Sequence, residues 1–128
     1  GGQGAGDHAF DIQMRGLYGF DQVVDRRAFG KRVRDFESAH ERASAIYGSG
    51  FYGTFISTCL EQPERVECFI DQNPHRQKQR LLERPIVAPE SLPEEVCSIY
   101  IGLNPRVARE EIAAVKDLYS RECEFFYP

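Results

Sequence analysis

The apolar run Ala43-Ser44-Ala45-Ile46-Tyr47 stops abruptly at Gly48, and Gly50 and Gly53 follow it in a G-x-G-x-x-G spacing. This is the feature that most narrows what the chain can become. A short run of apolar residues suits a buried strand, and a glycine directly after it permits a tight turn that other residues resist. Thr54 to Leu60 then places Phe55, Ile56, Cys59 and Leu60 on one helical face. The reading is strand, tight turn, helix. In such a unit the first glycine makes the turn, the second lets a phosphate approach the backbone, and the third lets the helix pack close to the sheet.

The rest of the chain repeats the alternation. Phe29, Val33, Phe36, His40 and Ala43 recur at spacings of 4, 3, 4 and 3, the stripe of an amphipathic helix, with Asp25 suited to cap it. His40 falls on the stripe and is read as a packing residue. "RVECFID", 65–71, is a second strand ending on Asp71. "RPIVAP", 84–89, holds a very short extended segment between two prolines, and "ESLPEE" suits a helical turn. "CSIYIGL", 97–103, is a continuous apolar strand of the kind a parallel sheet buries on both faces. Asn104 and Pro105 are expected as cap and first-turn proline of a helix with the stripe Val107, Ile112, Val115 and Leu118 or Tyr119. "CEFFY", 123–127, closes as a last strand. The order predicts an α/β sandwich of three layers, with a mostly parallel sheet of about five strands preceded by a helix.

Residues 1–24 carry four glycines in the first six positions and scattered aromatics (Phe10, Tyr18, Phe20) without a period. They are expected to be a leader or irregular segment, and residues 25–128 a single domain cut from a larger protein. At 128 residues and 28% charged, the composition is that of a globular domain with one modest core. A formal charge of −4 argues against a nucleic-acid partner recognised through its phosphates. The basic stretches "DRRAFGKRVR" and "HRQKQR" read as solvated faces. No apolar run is long enough to span a membrane. Cys59, Cys68, Cys97 and Cys123 are widely spaced within apolar runs, which predicts buried free thiols rather than a metal site, and hence a cytoplasmic protein.

Asp71 lies about 20 residues beyond the glycines, where a dinucleotide-type site places the acid that accepts hydrogen bonds from ribose hydroxyls. The candidate ligand-binding residues are therefore Gly48, Ser49, Gly50, Tyr52, Gly53, Asp71, Asn73 and Asn104. Ser49 and Tyr52 offer hydroxyls to a phosphate or sugar, and Asn104 ends a strand facing the same crevice. Phe51 and Tyr52 are bulky enough to fill the space a pyrophosphate would take, so a purely structural turn stands beside the ligand reading. Asp71 opposes a 2′-phosphate, which favours NAD over NADP, although Arg76, Lys78 and Arg80 follow closely. An S-adenosylmethionine site usually has an acid at the end of its first strand, where this chain has Ile46-Tyr47. No nucleophile–base pair and no catalytic residue can be named. His75 reads as a solvated loop residue.

From Tyr47 to Pro128 the motifs "IYGSGFYG", "VECFIDQNPHRQKQRLLERPIVAPESLPEE", "SIYIGLNPRVAREEI" and "CEFFYP" together resemble a Rossmann-like module. The layout is similar to the C-terminal domain of sugar C-methyltransferases. A close second is the nucleotide-binding domain attached to sugar dehydratases and sugar transferases of polysaccharide synthesis. The preceding helix, "RAFGKRVRDFESAHERA", looks more like the methyltransferase arrangement. Asp71, Asn73 and Pro74 match the shared Asp-x-Asn-Pro stretch, whereas Tyr52 stands where the methyltransferase loop usually carries a lysine. The resemblance implies an accessory domain that helps hold a nucleotide or nucleotide-sugar, with S-adenosylmethionine bound only in a separate domain; NAD remains the ligand that the glycine loop and Asp71 alone would suggest. It implies a parent-protein domain as partner. A different class of function, a structural or oligomerisation module with a vestigial glycine loop, would use Phe10, Tyr18, Phe125 and Phe126 to meet the parent domain or form a homodimer.

Overall fold

A computed structural model describes residues 26–128. Asp25, Phe10, Tyr18, Phe20 and the proposed leader lie outside the described residues. The elements in chain order are α1 (Arg26–Ala39), β1 (Ser44–Tyr47), α2 (Phe51–Cys59), β2 (Val66–Ile70), β3 (Arg80–Leu81), β4 (Arg84–Val87), β5 (Ser98–Ile101), α3 (Ala108–Ala113), α4 (Lys116–Tyr119) and β6 (Glu124–Phe126). Short 3-10 turns at Pro63–Arg65, Arg76–Lys78 and Pro89–Ser91 fill connections between them.

The six strands form one sheet in the order β3-β4-β2-β1-β5-β6. Every pairing is parallel except the β3–β4 hairpin. In β1 and β5 all four residues are buried, the pattern a parallel sheet covered on both faces requires. Alternate side chains then feed two separate cores. Ala45, Cys68, Ile70, Ile99 and Ile101 meet Ala108 and Ile112 of α3, Leu118 of α4 and the β4–β5 connection at Leu92 and Val96. Ile46, Phe69, Tyr100 and Phe126 meet Val33 of α1 and Ile56 of α2 on the other face. Each fully buried aliphatic side chain contributes about 1.5–3 kcal/mol. The fold is α/β, with helices on both faces of a mostly parallel six-stranded sheet.

Within α1 the stripe packs as its spacing predicts, but the helix ends at Ala39, so His40 and Ala43 lie beyond it. Val33 is fully buried, and Phe29 and Phe36 lie against the second core. His40, just past the helix end, stacks on Phe36 at 4.1 Å and its Nδ1 lies 2.9 Å from the Phe36 carbonyl, a packing role. Buried Glu37 accepts hydrogen bonds from the amides of Glu61 (3.0 Å) and Gln62 (2.8 Å), which ties α1 to the chain leaving α2.

Five expectations are corrected. The sheet has a sixth strand, because "QRLLERP" folds into a hairpin whose β3 is only two residues long. The final helix breaks in two, with Val115 in a non-helical conformation between α3 and α4, and it starts at Ala108 rather than after Asn104. Val107 is exposed rather than part of the apolar stripe, while Ile112, Val115 and Leu118 are buried; the Tyr119 side chain lies outside the described set. Among the free cysteines only Cys68 is fully buried, the others being partly exposed, and Phe126 is buried while Phe125 is half-buried.

Candidate functional site

The order in which the chain adds strands to the sheet reverses at β1. The path runs outward from β1 through β2 to β4, then returns so that β5 pairs on the other side of β1. Such a switch point opens a crevice at the carboxyl ends of the strands, where ligands of open parallel sheets bind. Gly48 and Gly102 leave β1 and β5 there. Their amides continue the ladder: Gly48 N–H donates to the Ile70 carbonyl and Gly102 N–H to the Tyr47 carbonyl, both at 2.7 Å.

Three glycines interlock at this point. Gly48 has φ of +98°, and a Cβ on it would lie 2.5 Å from the Gly102 carbonyl oxygen. A Cβ on Gly53 would overlap the Gly48 carbonyl, and one on Gly102 would lie 2.6 Å from Gly53 Cα. The first turn of α2 therefore touches the backbones of both strands. Gly102 was not among the expected residues, since it stands outside the glycine motif. Its signal was a glycine closing the apolar run "SIYI". Gly50, the N-cap of α2, differs: nothing lies within 4 Å of its Cβ direction. It is the open position, with room for a ligand atom against the backbone.

Asp71 extends from the end of β2 to the loop, as the spacing predicts. Ser49, buried in the loop, donates from Oγ to Asp71 Oδ2 at 2.5 Å, and its amide approaches the same oxygen at 3.4 Å. The Asn73 amide donates to Oδ1 at 2.9 Å. Arg76 Nη1 reaches the Ser49 carbonyl at 3.4 Å, which brings a guanidinium to the rim of the loop. The Asn73 side chain accepts from the His75 amide at 3.0 Å, so it shapes the turn carrying Arg76 to the loop. Asn104 Oδ1 accepts from the Arg106 amide at 2.9 Å, and its carbonyl accepts from Val107 and Ala108 amides at 3.0 Å. It caps the turn before α3 rather than the helix itself.

Tyr52 sits half-buried in the first turn of α2. Burial pushes its phenol up to about 12, against a smaller opposite pull from the Arg106 guanidinium, so it is a neutral hydroxyl across ordinary pH. Burial also raises the Tyr47 phenol, partly countered by the hydrogen bond it accepts from Gln72 Nε2 at 2.6 Å. Gln77 Nε2 donates to the Asp71 carbonyl at 2.7 Å. Gln72 and Gln77 also line an open cleft of about 440 Å³ with Pro74, Pro89, Glu90 and Lys116. No residue of the glycine loop lines that cleft. Asp71 thus stands between the two, its carboxylate on the loop and its neighbours on the cleft.

Chemically, the arrangement offers an open backbone position at a helix start, the Tyr52 hydroxyl, a carboxylate and guanidinium groups, a set suited to holding a polar ligand rather than activating a nucleophile; the Ser49 hydroxyl, expected to face a ligand, is committed to Asp71 instead. Among the described residues no group of three or more His, Cys, Asp or Glu could hold a metal ion, and no helix is long and apolar enough to cross a membrane. Comparison of the chain with protein-family models, with curated proteins and with solved structures returned no match.

Proposed function

We propose that this chain is a Rossmann-like accessory domain that binds a nucleotide or nucleotide-sugar within a larger sugar-modifying enzyme, a methyltransferase, and performs no chemistry alone. The observation that carries the reading is the interlocked Gly48–Gly53–Gly102 loop at the switch point, with Asp71 bonded to its second residue. Backbone amides at the start of the nine-residue α2 favour an anion, Gly50 leaves room for it, and Arg76 stands at the rim. The carboxylate of Asp71 faces a sugar hydroxyl, and the cleft beyond it accommodates the rest of the ligand. NAD is the alternative ligand for the same groups. S-adenosylmethionine belongs in a separate domain, and a parent-enzyme domain, or a second copy, is the partner. The free thiols fit a cytoplasmic setting.

A second reading, a structural or oligomerisation module with a vestigial loop, is favoured by one observation: the Asp71 carboxylate already has protein donors on both oxygens.

The test is calorimetry and thermal shift against nucleoside-diphosphate sugars, NAD and S-adenosylmethionine, with Asp71→Ala alongside. A ligand at 100 times its dissociation constant raises stability by about 2.7 kcal/mol. The expected result is a shift with a nucleotide-sugar that Asp71→Ala reduces at least about tenfold in affinity, as loss of a charged hydrogen-bond acceptor implies. No shift with any of these ligands selects the structural module.

A further inference from the structure

We propose that Ser49 sets the hydroxyl specificity of this site by occupying the place on Asp71 that the second hydroxyl of a ribose would need. The inference rests on the nucleotide-binding reading above and adds which sugar that site can tell apart. A carboxylate has about four acceptor positions. Three donors of the chain already converge on Asp71: Ser49 Oγ at 2.5 Å and Ser49 N at 3.4 Å on Oδ2, and Asn73 N at 2.9 Å on Oδ1. The short Oγ contact is the strong one, a charge-assisted bond from a hydroxyl. Oδ2 is thereby saturated from within the protein, and Oδ1 keeps one position.

Ser49 cannot readily yield that place. It is 4% exposed and lies between Gly48, fixed by the close approach to Gly102, and Gly50 at the N-cap of α2. Turning its hydroxyl away would leave a buried donor without a partner, which is costly. A vicinal diol bound at Asp71 therefore meets a carboxylate with room for one of its hydroxyls. The site reads a single hydroxyl and is nearly indifferent to whether the other is present. Removing the serine hydroxyl frees Oδ2 for the second ribose hydroxyl and turns the site into a diol reader.

The experiment measures the affinities of wild type and Ser49→Ala for UDP, 2′-deoxy-UDP and 3′-deoxy-UDP by calorimetry. Wild type is expected to bind one deoxy form within about threefold of UDP and the other about tenfold more weakly. Ser49→Ala is expected to prefer UDP over both deoxy forms by about tenfold or more, the effect of one hydrogen bond to a charged group. Ser49→Thr, which keeps the hydroxyl, is expected to retain the wild-type ratios. Even if neither variant folds, wild-type affinities for both deoxy forms within about threefold of UDP overturn the proposal, since Asp71 would then read no hydroxyl. UDP binding in wild type with tenfold or greater loss on removing either hydroxyl overturns the role of Ser49 while leaving nucleotide binding intact. Absence of binding of all three nucleotides, to wild type and variants alike, overturns both.

Discussion

Among the described residues the chain turns through positive φ at two places, and it does so by opposite means. At the crevice the residue is Gly48, with φ of +98° and the Gly102 carbonyl where its Cβ would be. At the β3–β4 tip the residues are Leu82 and Glu83, with φ of 50° and 65°, and neither is a glycine. The hairpin tip faces solvent, Leu82 being among the most exposed large apolar side chains described. There the cost is only that of a left-handed backbone, and neighbouring arginines offset it. Arg80 donates to the Glu83 carbonyl, while Arg84 donates to the carbonyls of Leu82, Val66 and Pro63. At the crevice three backbones touch, and no hydrogen bond elsewhere can make room for a methyl group. A glycine required by contact is irreplaceable, whereas one merely convenient for φ can be absent.

The largest expected effect tests the contact half of that contrast. Gly53→Ala, whose methyl would overlap the Gly48 carbonyl, should lower stability by about 4 kcal/mol or prevent folding. Gly50→Ala, with open space around it, should change stability by less than about 1 kcal/mol, read in the same urea titration. Equal effects at both positions would break the distinction between the interlocked glycines and the open one.

The same contrast marks what could be read from the amino acids alone. Strands β1, β2 and β5 and the α1 stripe were legible because burial on two faces, or on one helical face, writes a continuous or periodic apolar pattern. Asp71 was legible because the crossover through α2 has a nearly constant length, which brings an acid at that spacing to the loop. The role of Ser49 was not, since a serine between glycines carries no sign that its hydroxyl is buried against a carboxylate. Gly102 was missed because its neighbours are distant in sequence, and its need for a bare Cα comes from the backbones of Gly53 and Tyr47. The β3–β4 hairpin was missed for another reason. Two-residue pairing in "QRLLERP" is too short to alternate, and Leu82-Glu83 lacks the Asn-Gly type of signal that marks such turns. The split of the last helix at Val115 was hidden because the apolar residues around the break are buried on the same side as a continuous helix would bury them.

A second test separates buried neutral groups from the solvated tip by pH. Burial holds the Cys68 thiol up to about 11 against an ordinary 9, and the Tyr52 phenol up to about 12 against 10. The native state keeps protons that the unfolded chain gives up, so unfolding releases protons and stability falls as pH rises. The contribution is complete below pH 9 and is lost between about 9 and 12. Cys68 accounts for about 3 kcal/mol of it at most, from the two pH units between its ordinary and folded values. Urea midpoints measured from pH 8 to 11 should drop steadily, and Cys68→Ala should flatten the curve between 9 and 11. A flat wild-type curve would mean that the thiol reaches water.

The smallest effect lies at the tip, and it has the opposite sign. Both central residues of this two-residue loop have positive φ, the geometry of a type I′ turn, for which Asn-Gly is the favoured pair. A leucine and a glutamate held there store backbone strain of about 1 kcal/mol each. The replacement Leu82→Asn with Glu83→Gly relieves most of it, set against the extra freedom that glycine gives the unfolded chain. It also removes an exposed leucine without touching either core. The arginine bonds go to main-chain carbonyls and therefore survive the change. The double variant should gain about 1 kcal/mol, seen as a raised urea midpoint with an unchanged slope, and nucleotide affinity should not move. Loss of stability would show that Leu82 and Glu83 do more than close the turn, and the tip would then join the crevice as a place where side-chain identity is imposed by contact.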